Sequence, residues 1–147
     1  MAQTPQNRLG VFKQLSDVPD GRRFYQYSSS YEGRDTWAEY RATVELSERM
    51  SEEWERFARR WKAHMDEHGR HHALAKPNDV EAWSGELLSQ FSRDRAYQHW
   101  NVIEGFYDWL MWHTKHRHTY NPFHMAACVP EGSAREIWDR KMEKSND

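Results

Sequence analysis

The stretch SRDRAYQHWNVIEGFYDWLMWHT, residues 92–114, decides the fold of this chain. One stripe at helical spacing carries apolar side chains, namely Tyr97, Trp100, Ile103, Tyr107 and Leu110. Four more apolar residues, at 102, 106, 109 and 112, lie off that stripe. A helix that is apolar nearly all round is normally central and buried. The stretch therefore predicts a core helix from near Ser92 to near Thr114.

Three helices are predicted before it. Thr36 and Glu39 have capping-box spacing and open a short first helix. A second helix begins at Ser51, carries apolar residues at helical spacing, and stops at Gly69. A third follows Pro77, a residue favoured in the first turn of a helix.

Two further helices are predicted after it. A short one covers His124 to Cys128, because Pro122 discourages helix at the preceding residue. A last helix starts at Ser133, which forms a second capping-box pattern with Glu136. No segment shows the alternation of a strand. The fold class is therefore all-α: a compact orthogonal bundle of four to five helices plus a C-terminal helix.

Composition divides the chain into three parts. Residues 1–33 are rich in Pro, Gly and Ser and predict an irregular arm. Its aromatic residues predict that part of it docks on the domain: Phe24, Tyr25, Tyr27 and Tyr31. Residues 34–130 form the helical domain, and residues 131–147 form a C-terminal helix or linker.

The overall composition limits the class of protein. The formal net charge is −2, which lacks the basic surplus usual in DNA-binding domains. With 8 Trp and 7 Tyr, aromatic residues replace the scarce aliphatic ones in the core. A single cysteine excludes an internal disulfide. There is no signal-peptide pattern and no membrane-length apolar run, so we expect a soluble, cytoplasmic protein without a membrane partner.

Nine histidines raise the question of a metal site. His64 and His68 lie four residues apart, and the string between them matches H-x-x-E-H, the inverted zinc-protease motif. That motif also needs a distant acidic ligand and a substrate cleft. A solvated helix end explains the same residues, so we predict no metal and no other cofactor.

The second helix carries Arg56, Arg59 and Arg60 on the face opposite its apolar stripe. Glu52 and Glu55 precede Arg56 and Arg59 by four residues, a spacing that favours ion pairs along a helix. On this evidence alone, the arginines belong to a solvated face.

The core helix opens with Arg93 and Arg95, followed by Gln98 and His99. The helix dipole disfavours positive charge in a first turn, whereas the free backbone N–H groups there suit phosphate. These residues indicate an anionic partner, although a simple polar helix start explains them equally well. At the other end, Lys115 and Arg117 lie among three histidines and suggest either a polar helix exit or an anion-binding corner.

The order of these elements resembles the core-binding, or SAM-like, domain of tyrosine recombinases, the phage integrase and Xer class, and looks closest to versions from salt-loving archaea. The resemblance covers about Thr36 to Cys128. It rests on the following segments: SEEWERFARRWKAHMDEHG (51–69), KPNDVEAW (76–83), the Ser92 helix closed by FYDWL (106–110), and Tyr120-Asn121-Pro122.

This resemblance implies double-stranded DNA as the partner, bound during site-specific recombination or DNA integration. In the family, the beginnings of the second and fourth helices approach the groove and the phosphates. Carried over, the DNA-binding residues are Arg56, Arg59, Arg60, Arg93, Arg95, Gln98 and His99, with Lys115 and Arg117 as secondary phosphate contacts.

The chain also departs from the family. Recombinases cleave DNA with a tyrosine in a second, larger domain that contributes an H-x-x-R pair. No histidine here precedes an arginine by three residues, and only 25 residues follow Pro122. We therefore expect no enzymatic activity, no catalytic residues, and a possible homo-oligomer or separate catalytic recombinase domain as a further partner. The alternatives are a helical protein–protein interaction module without a nucleic-acid partner and a metal-binding protein built on the histidines.

Overall fold

A computed structural model describes residues 12–113 and 115–145 of the chain, and within them it contains no strand. Six α-helices form the bundle: α1 Thr36–Arg41, α2 Glu48–Glu67, α3 Pro77–Gln90, α4 Arg93–Trp112, α5 Pro122–Ala127 and α6 Ser133–Ser145. Short 3-10 segments precede them at Leu15–Asp17, Asp20–Arg22 and Phe24–Tyr31. The predicted all-α bundle with a C-terminal helix is confirmed.

The starts of α1 and α2 differ from the sequence-based prediction. The side chain that caps α1 is Asp35, which accepts a hydrogen bond from the Ala38 N–H at 3.1 Å, rather than Thr36. Helix α2 begins three residues before Ser51, because the Ser47 hydroxyl accepts from the Met50 N–H. Asp, Ser and Thr are all favoured as N-caps, so the sequence offers two acceptable capping residues near the start of each of these helices.

The other boundaries follow local chemistry. Pro77 opens α3, and the Ser92 side chain caps α4 by accepting from the Arg95 N–H. Gly69 follows α2 with a φ of 71°, a left-handed conformation that glycine adopts at little cost. At α6, the Glu81 carboxylate from α3 accepts from the N–H groups of Ser133 and Ala134. A neighbouring helix therefore caps α6.

Aromatic side chains from four helices meet at Phe123, the second residue of α5. Its ring centroid lies 5.3 Å from Trp61 of α2, 6.3 Å from Trp83 of α3 and 5.1 Å from Trp100 of α4. All four side chains are buried. Helix α6 packs against α3, α4 and α5, and α2 packs against α4. The core is therefore aromatic, as the composition predicts.

Both flanking parts of the chain pack on the same core. Phe24, Tyr27 and Tyr31 are buried, whereas Tyr25 is exposed. The Phe24 ring stacks on Tyr120 at 4.1 Å between centroids. Helix α6 buries apolar side chains as well, so residues 131–145 are part of the bundle. Residues 1–11 of the predicted arm, and residues 146 and 147, lie outside the described residues.

Burial alternates along residues 115–120, which follow α4, and this alternation explains the charged corner. His116, His118 and Tyr120 are buried, while Lys115 and Arg117 between them are exposed. Side chains that alternate in this way lie on opposite sides of the segment. The histidines therefore join the core and the cations face solvent. Among the described helices, none has the length and apolarity needed to cross a membrane.

Candidate nucleic-acid interface

Four of the predicted DNA-binding arginines lie on one surface, which we call the arginine surface: Arg56, Arg59, Arg60 and Arg95. The first three belong to α2 and the last to the first turn of α4, and these two helices pack together. Burial lowers the pKa of Arg60, and the positive charges of Arg56, Arg95 and Arg59 lower it further. The guanidinium groups are thus close enough to repel one another.

One carboxylate joins the two helices at this surface. Glu53 Oε2 lies 2.8 Å from the Arg95 guanidinium, and Glu53 Oε1 accepts from Arg56 at 3.1 Å. The hydrogen bond from Arg95 is the main reason that the pKa of Glu53 is lowered. Glu53 therefore pairs with two of the four arginines. Among the described residues no other carboxylate pairs with this cluster, which keeps a surplus of positive charge.

His99 supports this surface from beneath and does not form part of it. Its side chain is fully buried, so in this structure it cannot touch DNA as the sequence suggested. Its Nδ1 lies 2.8 Å from the Arg95 carbonyl, to which it donates, and its Nε2 accepts from Arg60 at 2.6 Å. Arg60 is always a donor, so this pattern fixes the tautomer. Burial lowers the pKa of His99 to about 4, which keeps the ring neutral.

Aromatic rings hold two of the arginines in place. His99 lies between Phe57 and Phe91, with ring centroids 4.2 Å and 4.7 Å away. Arg95 lies over the Phe57 ring and Arg60 over the Phe91 ring, each 5.0 Å from the centroid. Cation–π contact of this geometry is attractive and restricts the side chain. The guanidinium group of Arg60 is therefore ordered by neutral groups, whereas that of Arg95 also pairs with Glu53.

The ion pairs predicted along α2 do not form. Arg56 pairs with Glu53 instead of Glu52. Glu55 lies 3.3 Å from Arg41 and also accepts from the Trp37 indole, so it does not pair with Arg59. Arg59 is exposed, with no carboxylate within 4.0 Å among the described residues. The interpretation of these arginines as a solvated face relied on those ion pairs. The contacts of Glu55 with Arg41 and Trp37 of α1 remove the Glu55–Arg59 pair.

A groove of about 440 Å³ runs beside the arginine surface between α2 and α4. Its polar lining includes Arg49, Gln98 and Asn101, together with Glu53 and Arg95 of the cluster. Gln98 is exposed and accepts from the Arg95 guanidinium at 2.8 Å. Sequence reasoning missed Arg49 because it began α2 at Ser51. The spacing of seven residues between Arg49 and Arg56 was the available signal, since it places both on one helix face.

Arg93 lies apart from the arginine surface, although it is only two residues from Arg95. Its guanidinium donates to Glu143 at 2.9 Å and to the Glu136 carbonyl at 3.4 Å, and both partners belong to α6. Two residues turn the direction of a side chain by about 200° on an α-helix. Arg93 therefore ties α4 to α6, and the structure does not bring it together with Arg95 on the arginine surface.

Lys115 and Arg117 lie beyond the far end of α4. The helix has 20 residues, which corresponds to a length of about 30 Å. Both side chains are exposed, and the charge of Arg117 acts on the pKa of Tyr27 and Tyr31 in the N-terminal segment. The structure therefore does not bring these two cations together with the arginine surface.

The two histidines with the spacing of metal ligands, His64 and His68, form hydrogen bonds to backbone carbonyls. His64 is buried and its Nε2 donates to the Asp79 carbonyl at 2.8 Å, while His68 Nδ1 donates to the His64 carbonyl at 2.8 Å. Within the described part of the chain, no third ligand atom joins these two residues in a group whose members all lie within 4.8 Å of one another. The inverted zinc-protease pattern is thus not completed there.

One other group has the geometry of metal ligands. Glu104, Asp108 and His124 place ligand atoms within 4.8 Å of one another. However, Glu104 already accepts from His124 at 2.7 Å and forms an ion pair with Lys141. The buried carboxylate therefore has a cation from α6 as its partner, and this arrangement stabilises the contact of α4 with α5 and α6.

Comparisons with known proteins add no further assignment. No family model, curated protein or solved structure matches this chain. The argument for function therefore rests on the residues and their geometry.

Proposed function

We propose that this chain is a DNA-binding module that contacts duplex DNA through the arginine surface, in a protein of the tyrosine-recombinase or integrase type. The observation that carries the proposal is the surplus of guanidinium groups around Glu53. Arginine is the side chain best suited to bind phosphate oxygens in pairs and to contact guanine. The recombination role follows from the resemblance of the helix order to core-binding domains.

The arginine surface is already ordered in a way that suits the binding of an anion. Arg60 and Arg95 are held by rings and by His99, so little side-chain entropy is lost when they bind. Arg59 has no competing carboxylate among the described residues. Gln98 and Asn101 line the adjacent groove, and amide side chains can bind the edge of adenine. Phosphate contacts would then position the module, and these amides would supply sequence preference.

The overall charge of the chain limits the strength of DNA binding. A formal net charge of −2 gives no long-range attraction to DNA, so binding depends on the local cluster. Contacts to phosphate release counterions, and affinity therefore falls steeply as salt rises. We expect weak binding that is lost at high salt, and a second DNA-bound copy or a catalytic domain would add the missing affinity.

The first test removes two phosphate-binding candidates together. Arg59→Gln combined with Arg95→Gln should lower affinity for a duplex by about tenfold or more at about 50 mM salt, since hydrogen bonds to charged groups contribute about 1.5–3 kcal/mol each. The slope of log affinity against log salt should become shallower by about two if both side chains touch phosphate. Fluorescence anisotropy at pH 7.5 across about 50 to 200 mM salt measures both quantities.

A matched control removes the same charge elsewhere. Lys115→Gln combined with Arg117→Gln lies at the far end of α4, and Arg93→Gln removes the neighbour that faces α6. Both variants should bind DNA within about twofold of the wild type, because neither lies on the arginine surface. An equal loss of affinity in the Lys115 and Arg117 variant would show that binding follows net charge or a different face. In that case the proposed interface is wrong.

The second test concerns catalysis. Five of the seven tyrosines are buried, which leaves Tyr25 and Tyr97 as the more accessible ones. Tyr25 lines a cavity together with His71, Arg23 and Arg70, but its hydroxyl donates to the Asp20 carboxylate. Tyr97 lines the α2–α4 groove, and no histidine is among the lining residues of that groove. Incubation with a nicked suicide substrate should therefore give no covalent protein–DNA product on a denaturing gel. A covalent band that is lost in a Tyr97→Phe or Tyr25→Phe variant would overturn the assignment as a non-enzyme.

A protein–protein interaction module is the second candidate. The observation that favours it is Trp112, at the end of α4, whose surface is 84% exposed. Exposed tryptophan is enriched at protein interfaces, where it often contributes much of the binding energy. The DNA titration separates the two candidates. If the wild type fails to bind duplex DNA even at low salt, the interaction module becomes the better assignment.

A further inference from the structure

A cavity of about 490 Å³ lies between the N-terminal 3-10 segment and the connection from α2 to α3. This volume is within the range of small-molecule sites, which are about 300–1,000 Å³. Phe24 and Tyr120 form one wall and Leu74 and Ala75 another. The cavity is on a different part of the molecule from the arginine surface and shares no lining residue with the α2–α4 groove.

The charged groups around the cavity are mainly cations. Arg23, Arg70 and Lys76 line it, with Glu32 as the one carboxylate in the lining. Asp79, which pairs with Arg70, is fully buried and is not part of the lining. The lining therefore favours a negatively charged ligand, as opposite charges that are shielded from water attract more strongly than in bulk solvent.

Arg70 is fixed with part of its guanidinium free. Its Nε donates to Asp79 Oδ2 at 2.7 Å, and its Nη2 bonds to the other Asp79 oxygen. The Asp79 carboxylate also accepts from the Lys76 N–H at 2.8 Å, which holds it at the start of α3. This two-point contact leaves the Nη1 hydrogens of Arg70 without a partner among the described residues. A carboxylate, sulfonate or phosphate oxygen is the acceptor such a group prefers.

A hydroxyl in the wall adds a neutral donor. Tyr120 Oη accepts from the Phe24 N–H at 3.0 Å, and its own proton has no acceptor among the described residues. Burial raises the pKa of Tyr120 to about 12, so the hydroxyl keeps that proton at neutral pH. Tyr120 thus joins the cations as a donor, while Phe24, Leu74 and Ala75 offer contact to an apolar body.

We infer that this cavity binds a small organic anion with an aromatic or aliphatic body. The anionic group faces Arg70, Lys76 and Arg23, and the apolar body packs on Phe24 and Leu74. Because the cavity is formed by both the N-terminal segment and the helical bundle, a bound ligand would bridge them and stabilise the docked segment. This inference does not depend on DNA binding.

The probe is 1-anilinonaphthalene-8-sulfonate, with N-phenyl-1-naphthylamine as its uncharged counterpart. Fluorescence titration of the folded protein at pH 7.5 should show one site for the sulfonate and at least tenfold weaker binding of the neutral amine. Lys76→Gln should weaken sulfonate binding at least threefold. Ser28→Trp should block binding, because it places an indole at the wall of the cavity. Both positions are exposed, so neither change should disturb the fold.

Lys115→Gln is the matched control, since it removes one lysine outside the cavity and should leave sulfonate binding unchanged. Equal affinity for the charged and neutral dyes would overturn the inference that the ligand is an anion. Sulfonate binding that persists in both Lys76→Gln and Ser28→Trp would overturn the location. Absence of binding to the wild type would overturn the inference as a whole.

Discussion

Replacement of Trp100 by alanine is expected to lower the free energy of unfolding by about 3–5 kcal/mol. The indole is fully buried, contacts Phe123 at 5.1 Å between centroids, and donates its N–H to the Ser84 hydroxyl at 3.1 Å. Truncation leaves a cavity where α3, α4 and α5 meet, and the surrounding rings can close it only partly. Chemical denaturation at pH 7.5 measures the change directly.

The same helix offers a control with the same chemistry. Trp112→Ala also removes an indole from α4, but that side chain is 84% exposed. Its effect should be within about 0.5 kcal/mol, the usual range for surface substitutions. Equal destabilisation by the two changes, or a wild-type melting curve for Trp100→Ala, would show that α4 does not lie in the core as the structure has it.

Acidification from pH 7 to pH 5 is expected to remove about 6 kcal/mol of stability, roughly 2 kcal/mol for each of three histidines that are buried or largely buried. These are His72, His99 and His118, and burial lowers their pKa values to about 3, about 4 and about 4. In the unfolded chain each imidazole titrates near 6.5. A loss of this size approaches the whole stability of an ordinary domain, about 5–15 kcal/mol.

The direction of this change in stability with pH follows from proton linkage. When the pKa of a group is lower in the folded protein, the unfolded chain takes up the proton first as pH falls. Stability is therefore complete above about pH 6.5 and is lost as pH falls towards the folded pKa values. The carboxylates with lowered pKa, such as Asp79 and Glu104, lose their contribution only below about pH 4, where unfolded carboxylates titrate.

Urea unfolding at several pH values between 7 and 5 tests this expectation. Near pH 5.5 the free energy should change by about 3–4 kcal/mol per pH unit, which corresponds to uptake of between two and three protons on unfolding. In the folded protein, NMR signals of the three rings should show no titration above pH 5. A free energy of unfolding that is constant from pH 7 to pH 5 would contradict the assignment of these histidines as neutral and buried.

Much of the helical framework could be predicted from the sequence, because its causes are local. Pro77 and the Ser92 cap mark the starts of α3 and α4, and the apolar stripe of residues 92–114 identifies the central helix. Capping uses groups within three residues of one another, and an apolar stripe depends on the helical period alone. The all-α class followed from these signals, whereas Asp35 and Ser47 show that competing caps shift a boundary by a few residues.

The candidate site depended on contacts between helices. The sequence identified Arg59, Arg60 and Arg95 as candidates, but only packing showed that they share a surface and that Arg93 faces α6. Helical spacing predicted a Glu55–Arg59 pair, yet Glu55 bonds to Arg41 and Trp37 of neighbouring elements. Pairs along a helix are worth only a few tenths of a kcal/mol, so a partner from another element easily displaces them.

Only the tertiary structure shows which polar residues are buried. Sequence placed His99 among DNA contacts and His116 and His118 in a charged corner, and all three are buried. Trp112, by contrast, belongs to the core helix α4 and is exposed. A sequence determines which side chains share a face of one element, because that depends on the period of its backbone. Which face is covered depends on the elements packed against it, and those come from distant parts of the chain.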